Sequence, residues 1–316
     1  MQFISDQQVQ DLCSMSTAID LMKEAFSALS CGRAQVPLRT NLAVTSSTCS
    51  LVMPVAIDGL ATFGLKAVSL AENNRLKQLP RIHGTFLLFD TETGIPVACI
   101  EAEAMTALRT GASVGLATHL LSPQDIDQVS LFGTGRQAAA CIAAILEVRS
   151  VNKVSVYSRD KEKRLKFCHE MESRHGPTFD PVADPAQLKQ SNIICLATSS
   201  RTPVFDPVHL PDSFHLNAIG SYQQNQFEFD SSILKRANVI VDQKSACLSE
   251  AGEIVQAFSS GELKEGALTE IGQIVEKGHF KFDYPRTIFK SVGNAVQDLV
   301  VANHVYSKCS ASNFPK

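Results

Sequence analysis

The six residues Gly133-Thr134-Gly135-Arg136-Gln137-Ala138 restrict this chain more than any others, because an apolar run ends just before them at Phe132 and an alanine-rich stretch begins on them. Between a strand and a helix, the first glycine permits a tight turn and the second lets the backbone approach a pyrophosphate. Ala138, in the third small position, allows close helix–strand contact. The helix N-terminus then offers its N–H groups to the anion. The motif predicts a βαβ unit that cradles a dinucleotide at Gly133, Thr134, Gly135, Arg136 and Gln137. A glycine turn without a ligand is the competing reading.

The surroundings agree with that unit. Val129–Phe132, Lys153–Tyr157, Ile193–Ala197, His215–Ile219 and Val239–Val241 are short apolar strands. Helical stretches such as Gln137–Glu147 and Asp160–Glu172 alternate with them, the pattern of a parallel sheet covered on both faces. These features predict an α/β architecture with a Rossmann-type, doubly wound nucleotide domain over residues 122–285. Before residue 122 the texture differs. A helix is expected over Thr17–Cys31, with Ile19, Met22, Phe26 and Leu29 on one face and Gly32 as its stop. Strands follow at Asn41–Thr45, Cys49–Val55, Thr62–Leu70, Thr85–Asp90 and Ile95–Ile100, the last two flanking a turn at Thr91–Gly94. A helix from Glu103 to Leu121 closes this part, and another from Ser291 to Lys308 is expected to pack back on it. Residues 1–121 and 286–316 therefore form a second, α+β domain.

Charge and composition exclude several other classes. Lys and Arg number 29 against 32 Asp and Glu, net −3, and no basic patch stands out for a nucleic acid. The longest apolar stretch, Ala138–Leu146, is too short to span a bilayer, and no export signal opens the chain. Nine cysteines, an odd number without a CxxC pair, indicate neither a disulfide framework nor a metal site. A soluble, cytoplasmic protein is expected.

At the end of the second apolar strand, where NAD enzymes usually present an acid to the ribose 2′-hydroxyl, stand Ser158 and Arg159, with Lys161 and Lys163 nearby. A hydroxyl and a guanidinium suit a 2′-phosphate, so NADP(H) is preferred, with NAD(H) as the alternative. On the other reading Arg159 is a solvated helix-start residue beside an Asp160 N-cap. Ala197-Thr198-Ser199-Ser200 and Gly220-Ser221 also follow strands, where open α/β sheets bind ligands; both are equally readable as ordinary polar loops. In the first domain, Arg39, Lys66 and Arg109 sit in uncharged surroundings. A carboxylate ligand would partner them; an edge strand with Lys66 turned outward is the alternative.

The chain as a whole resembles the ornithine cyclodeaminase/mu-crystallin family. The resemblance is carried by Leu65–Val68, Phe86–Asp90 with Thr91–Gly94, Leu108-Arg109-Thr110-Gly111-Ala112, Gly133–Ala138, Ala197–Ser200 and Asn217–Ser221. It continues with Glu228, Asp230, Ile288-Phe289-Lys290-Ser291-Val292-Gly293 and Gln297-Asp298-Leu299. It implies a Rossmann domain joined to a substrate-binding and dimerising domain made from both chain ends. It further implies a homodimer, a nicotinamide cofactor whose site includes Thr110 and Ser291, and Arg39, Lys66 and Arg109 as holders of the substrate carboxylate.

Departures from the family pattern narrow the activity. Where cyclodeaminases carry Gly-Gly-Asp, this chain has Gly220-Ser221-Tyr222, and Leu51-Val52 rather than an acid precede Met53-Pro54. Tyrosine is a poor base at neutral pH, and cyclodeamination needs proton transfers around an amine. A ketimine reductase is therefore expected, one that converts pyrroline-2-carboxylate or piperideine-2-carboxylate to L-proline or L-pipecolate. Lys66, Tyr222, His83 and water remain open as its proton donor. An alanine-dehydrogenase-like enzyme, a cyclodeaminase and a non-catalytic NADPH-binding protein are the alternatives.

Overall fold

The computed structural model describes residues 1–312. Its elements run β1 (Gln2–Ile4), α1 (Asp6–Leu12), α2 (Met15–Ser30), β2 (Ala34–Gln35), β3 (Thr40–Thr45), β4 (Thr48–Ile57), β5 (Thr62–Ala71), β6 (Ile82–Asp90), β7 (Pro96–Glu101) and α3 (Ala102–Leu121). Then come β8 (Gln128–Phe132), α4 (Arg136–Val148), β9 (Lys153–Tyr157), α5 (Lys161–Arg174), β10 (Thr178–Val182), β11 (Ile193–Leu196), β12 (Phe214–Ala218) and β13 (Asn238–Val241). The chain ends with α6 (Lys244–Glu250), α7 (Gly252–Ser259), β14 (Leu268–Glu270), α8 (Ile271–Lys277), β15 (Arg286–Lys290) and α9 (Ala295–Ser312). Two compact units result: Met1–Arg109 with the chain from Asn294 onward, and Thr110–Gly293.

In the first unit the sheet order is β1-β7-β6-β5-β4-β2, with β3 also on β4. Strand alternation gives this sheet two different faces. Leu51, Met53, Lys66, Phe86, Leu88 and Ile100 point to the buried face, and α9 packs on β4, β5 and β6 there and on α2. Ser14 caps α2 by accepting from the Thr17 N–H, and Ala18, Ile19, Met22 and Phe26 bury its apolar stripe. The sequence pattern missed α1, which the Ser5/Gln8 capping box starts. The opposite face of the sheet carries half-buried Val52, Leu65, Leu87 and Cys99, and a Phe63–Phe89 stack at 5.1 Å.

The second unit is an eight-stranded parallel sheet of order β10-β9-β8-β11-β12-β15-β13-β14. Its chain order reverses between β8 and β11, the switch point where doubly wound sheets bind ligands. The sequence pattern ends this domain at 285, but β15 lies between β12 and β13, inside the sheet. Only Ile288 and Phe289 are apolar in β15, too short a run for a strand signature. At the other end, the unit boundary after Arg109 falls within the continuous helix α3, where no change of composition marks it. The helix expected from Ser291 begins later, at Ala295, because Gly293 turns the chain at φ +73°. No helix among the described residues is long and apolar enough to cross a membrane. All nine cysteines are free, and no acid, His or Cys cluster suited to a metal occurs among the described residues.

Candidate functional site

The loop Gly133–Ala138 joins β8 to α4 in the strand–turn–helix arrangement of its motif. Gly133 adopts φ +110°, and a Cβ there would lie 2.4 Å from the Ala197 carbonyl oxygen, so only glycine allows the loops after β8 and β11 to meet. Gly135 is the N-cap of α4, and a Cβ on it would touch nothing within 4 Å. Open space at the N-terminus of a 13-residue helix, with Gly135 and Arg136 exposed and Thr134 half-exposed, fits a pyrophosphate. Ala138 is fully buried against the strand, as expected.

At the tip of β9, Arg159 is exposed and Ser158 half-exposed. Asp160 accepts from the Lys163 N–H and caps α5. Arg164 was not singled out from the sequence. Its Nη1 donates to the Ser158 carbonyl at 2.5 Å, which adds a second guanidinium beside the tip. Its signal lay one helical turn beyond Asp160.

The loops after β11 and β12 are clamped by one carboxylate. Glu228 Oε1 accepts from the Thr198 N–H at 2.7 Å and its hydroxyl at 2.8 Å, while Oε2 accepts from Gly220 N–H at 2.7 Å and Ser221 N–H at 3.2 Å. A Cβ on Gly220 would overlap the Thr198 backbone at 2.0 Å, which explains glycine there. Burial pushes the Glu228 carboxyl above its usual range. Four donors leave a proton on it no acceptor, so we regard it as ionised at neutral pH. Glu253 accepts from the Ser221 hydroxyl and the Glu228 N–H, and Lys290 donates to the Ser221 carbonyl and hydroxyl.

The hydroxyls of two of the serines expected to touch cofactor are engaged within the fold. The Ser221 hydroxyl is fully buried on Glu253 and Lys290. That of Ser291 donates to Asp242 Oδ2 at 2.7 Å, which also accepts from the Gly293 N–H. Both hydroxyls hold the loops from behind, because the buried carboxylates are stronger acceptors. Thr110, Ala197, Thr198 and Ser199 are at the helix and loop positions expected of them.

In the first unit two of the cations are deeply held. Lys66 is 2% exposed on an interior strand, which rules out the edge-strand alternative. Its Nζ donates to Asp298 Oδ1 at 2.7 Å and to the Thr106 hydroxyl at 2.6 Å, leaving one of its three N–H groups. Arg109, 8% exposed, lies with Nε 3.5 Å from the same Asp298 oxygen and donates through Nη1 to Gln297 Oε1. Arg39 precedes β3 and is close enough for its charge to act on Lys66. Burial outweighs the Asp298 charge and pushes the Lys66 ammonium down to about 8, with Arg109 and Arg39 adding repulsion. Lys66 and Arg109 on one buried carboxylate, with half-buried Arg39 acting on Lys66 through its charge, form a cationic cluster suited to an anion.

Asp298 is the member that sequence reasoning placed in a family block without a role. A signal existed: it is a lone acid in the apolar run Ala295–Ala302, matching a lone lysine in an apolar strand. His83 is excluded as a proton donor to this cluster. It pairs with Ser69, on the sheet face opposite Lys66. Tyr222 belongs to the other unit, half-buried, its N–H on Gln226 Oε1.

The model of the ornithine cyclodeaminase/mu-crystallin family matches residues 1–313. A Delta(1)-pyrroline-2-carboxylate reductase of Bacillus cereus is 33% identical, over 98% of this chain and 96% of its own. Among solved structures, the Thermococcus litoralis Delta(1)-pyrroline-2-carboxylate reductase in complex with NADH and L-proline superimposes with a TM-score of 0.94 at 31% identity, covering 100% of this chain and 99% of its own. An archaeal alanine dehydrogenase dimer with bound NAD gives 0.92 at 29% identity, covering 100% and 98%.

Proposed function

The chain belongs to the ornithine cyclodeaminase/mu-crystallin family, and from that premise we propose that it reduces cyclic ketimino acids such as pyrroline-2-carboxylate with a nicotinamide cofactor, preferring NADP(H). The observation that carries this reading is the buried pair of cations Lys66 and Arg109 on Asp298, with half-buried Arg39 near enough for its charge to act on Lys66, a site for a small carboxylate. Tyr222 stands where the cyclodeaminases carry their acid, which favours imine reduction over release of ammonia.

The bound cofactor supplies a hydride for C2 of the imine. Gly133–Gln137 hold its pyrophosphate, Thr110, Ala197, Thr198, Ser199 and Gly220 contact it beyond the cradle, and Ser158 and Arg159 take the 2′-phosphate. Arg39, Lys66 and Arg109 fix the substrate carboxylate and with it the orientation of C2; positioning and electrostatics are their contribution to rate. We place the protein in the cytoplasm, where its free thiols stay reduced.

The deciding experiment follows reduced-cofactor absorbance with pyrroline-2-carboxylate, comparing NADPH with NADH and the wild type with Arg159→Asp. Turnover favouring NADPH, and a shift of cofactor preference toward NADH by about tenfold or more in the variant, are expected from removal of one charge-assisted hydrogen bond and gain of a ribose acceptor. No turnover on cyclic imines with either cofactor overturns the assignment. Turnover of pyruvate and ammonia, or ammonia release from ornithine, would then replace it.

We also propose a homodimer. The outer sheet face carries Leu65, Leu87 and the Phe63–Phe89 stack only half-buried, and Leu42 and Val44 of β3 are 58% and 56% exposed. A second copy of the chain is the partner such a face suits. Sedimentation should give twice the 34.3 kDa chain mass for the wild type and the single mass for Leu42→Glu/Val44→Glu. A monomeric wild type would refute this.

A further inference from the structure

The chain turns from β15 into α9 through Ser291–Asn294, and Asn294 is the last residue before the helix. Its side chain is 3% exposed, yet neither Oδ1 nor Nδ2 has a hydrogen-bond partner among the described residues. A buried primary amide with both ends unmet is a cost to the fold, so a role outside the fold itself is indicated. Its neighbours give the role. The Asn294 N–H donates to Gln297 Oε1 at 3.3 Å, the same oxygen that accepts Arg109 Nη1. One turn along, fully buried Asp298 gives one oxygen to Lys66 and has no hydrogen-bond partner for Oδ2 among the described residues. Asn294 and Asp298 are four residues apart, the spacing of one helix face. Unmet polar atoms therefore gather at the start of an 18-residue helix, next to the cations that receive the carboxylate.

An α-imino acid has a matching edge. When its nitrogen is protonated, N–H and a carboxylate oxygen lie side by side in one plane, a donor beside an acceptor. A carboxamide presents the complementary acceptor and donor at similar spacing. We propose that Asn294 contacts the substrate through this edge, Nδ2 donating to a carboxylate oxygen and Oδ1 accepting from the iminium N–H. The residue then selects imino acids over other carboxylates and favours the protonated imine, the better electrophile. Hydride addition to C2 turns that iminium into a neutral ring amine, which takes its second proton from water. No separate acid has to act during the transfer.

The inference rests on the imine-reductase reading and is tested so that the two can fail separately. Asn294→Leu and Asn294→Ala are assayed with pyrroline-2-carboxylate, NADPH affinity is titrated by fluorescence, and the ligand-free melting temperature is measured. Expected are a fall of about 30-fold or more in kcat/KM, because neither substrate hydrogen bond can form, an unchanged NADPH Kd, and a Tm of Asn294→Leu at or above that of the wild type. The last outcome is one that a structural amide would not give, since leucine removes the unmet polar atoms at similar volume. A lowered Tm with unchanged kcat/KM would assign the amide to the fold. Weakened NADPH with unchanged substrate KM would assign it to the cofactor. Either result overturns the proposal. A wild type inactive on all cyclic imines fails the reading of function and this inference with it, whereas an active wild type matched by both variants fails this inference alone.

Discussion

Replacing Lys66 with methionine is expected to lower kcat/KM for a cyclic imino acid by about two to three orders of magnitude, the effect of removing one partner of a buried charge pair, while NADPH affinity is kept. Lys66 is the central cation of the cluster, and methionine fills similar volume without a charge. Its loss also leaves Asp298 beside Arg109 Nε, at 3.5 Å, so Lys66→Met/Asp298→Asn is the control that separates lost binding from an orphaned carboxylate. A pH signature accompanies the loss. Burial lowers the Lys66 ammonium from 10.5 to about 8, so wild-type kcat/KM should fall as pH rises through about 8, when the carboxylate loses a cation. Lys66→Arg, charged throughout this range, should not show that limb. Stability moves the other way. Between the folded value of about 8 and the unfolded 10.5 the unfolded chain binds more protons at this site. The wild type should gain stability relative to Lys66→Met as pH rises across that window, and the difference between them should be constant with pH below it. A Lys66→Met enzyme with wild-type kcat/KM would remove Lys66 from the site.

These opposed trends follow from geometry that the sequence shows only in part. Gly133–Ala138 was readable because its chemistry is local: strand, turn and helix N-terminus are consecutive, and each glycine meets a constraint within the same loop or its neighbour. Lys66 was readable as an anomaly, a cation in Phe63–Val68, but its direction depends on β4 and β6 flanking it and on α9 covering one face. Asp298 lies 232 residues away in sequence from the lysine it binds, and no periodicity links the two. β15 escaped detection for a related reason. A strand held on both sides by parallel neighbours needs little apolar sequence of its own, and Lys290 at its end reads as a surface residue until Ser221 and Glu253 are placed around it. The serines show the limit from the other side. Ser221 and Ser291 occupy ligand-end positions of strands, yet their hydroxyls turn inward to carboxylates that only the fold brings there.

Glu228→Gln should be the most destabilising conservative change in the nucleotide unit. The carboxylate is fully buried and takes backbone N–H groups on both oxygens, from Thr198 on one and from Gly220 and Ser221 on the other. An amide presents N–H in place of one oxygen, and either orientation sets its NH2 against a backbone donor that cannot turn away. Breaking a buried, charged hydrogen-bond network of this kind costs about 3–5 kcal/mol. At about 2–4 °C per kcal/mol for a domain of this size, that lowers Tm by roughly 10 °C. Removing one negative charge from the vicinity of Glu253 offsets part of the loss, but it leaves the misdirected donors unchanged. The two clamped loops, 197–200 and 220–222, bring Thr198 and Gly220 to the switch-point edge of the sheet, so NADPH Kd should rise by about tenfold or more, as when a ligand-binding backbone loses its support. The imino-acid cluster lies in the other unit. Direct substrate-analogue binding to the folded variant should therefore weaken less than NADPH binding. Equal loss of both would mean that Glu228 supports the fold at large, and a Tm within about 2 °C of wild type would mean that the loops find another acceptor.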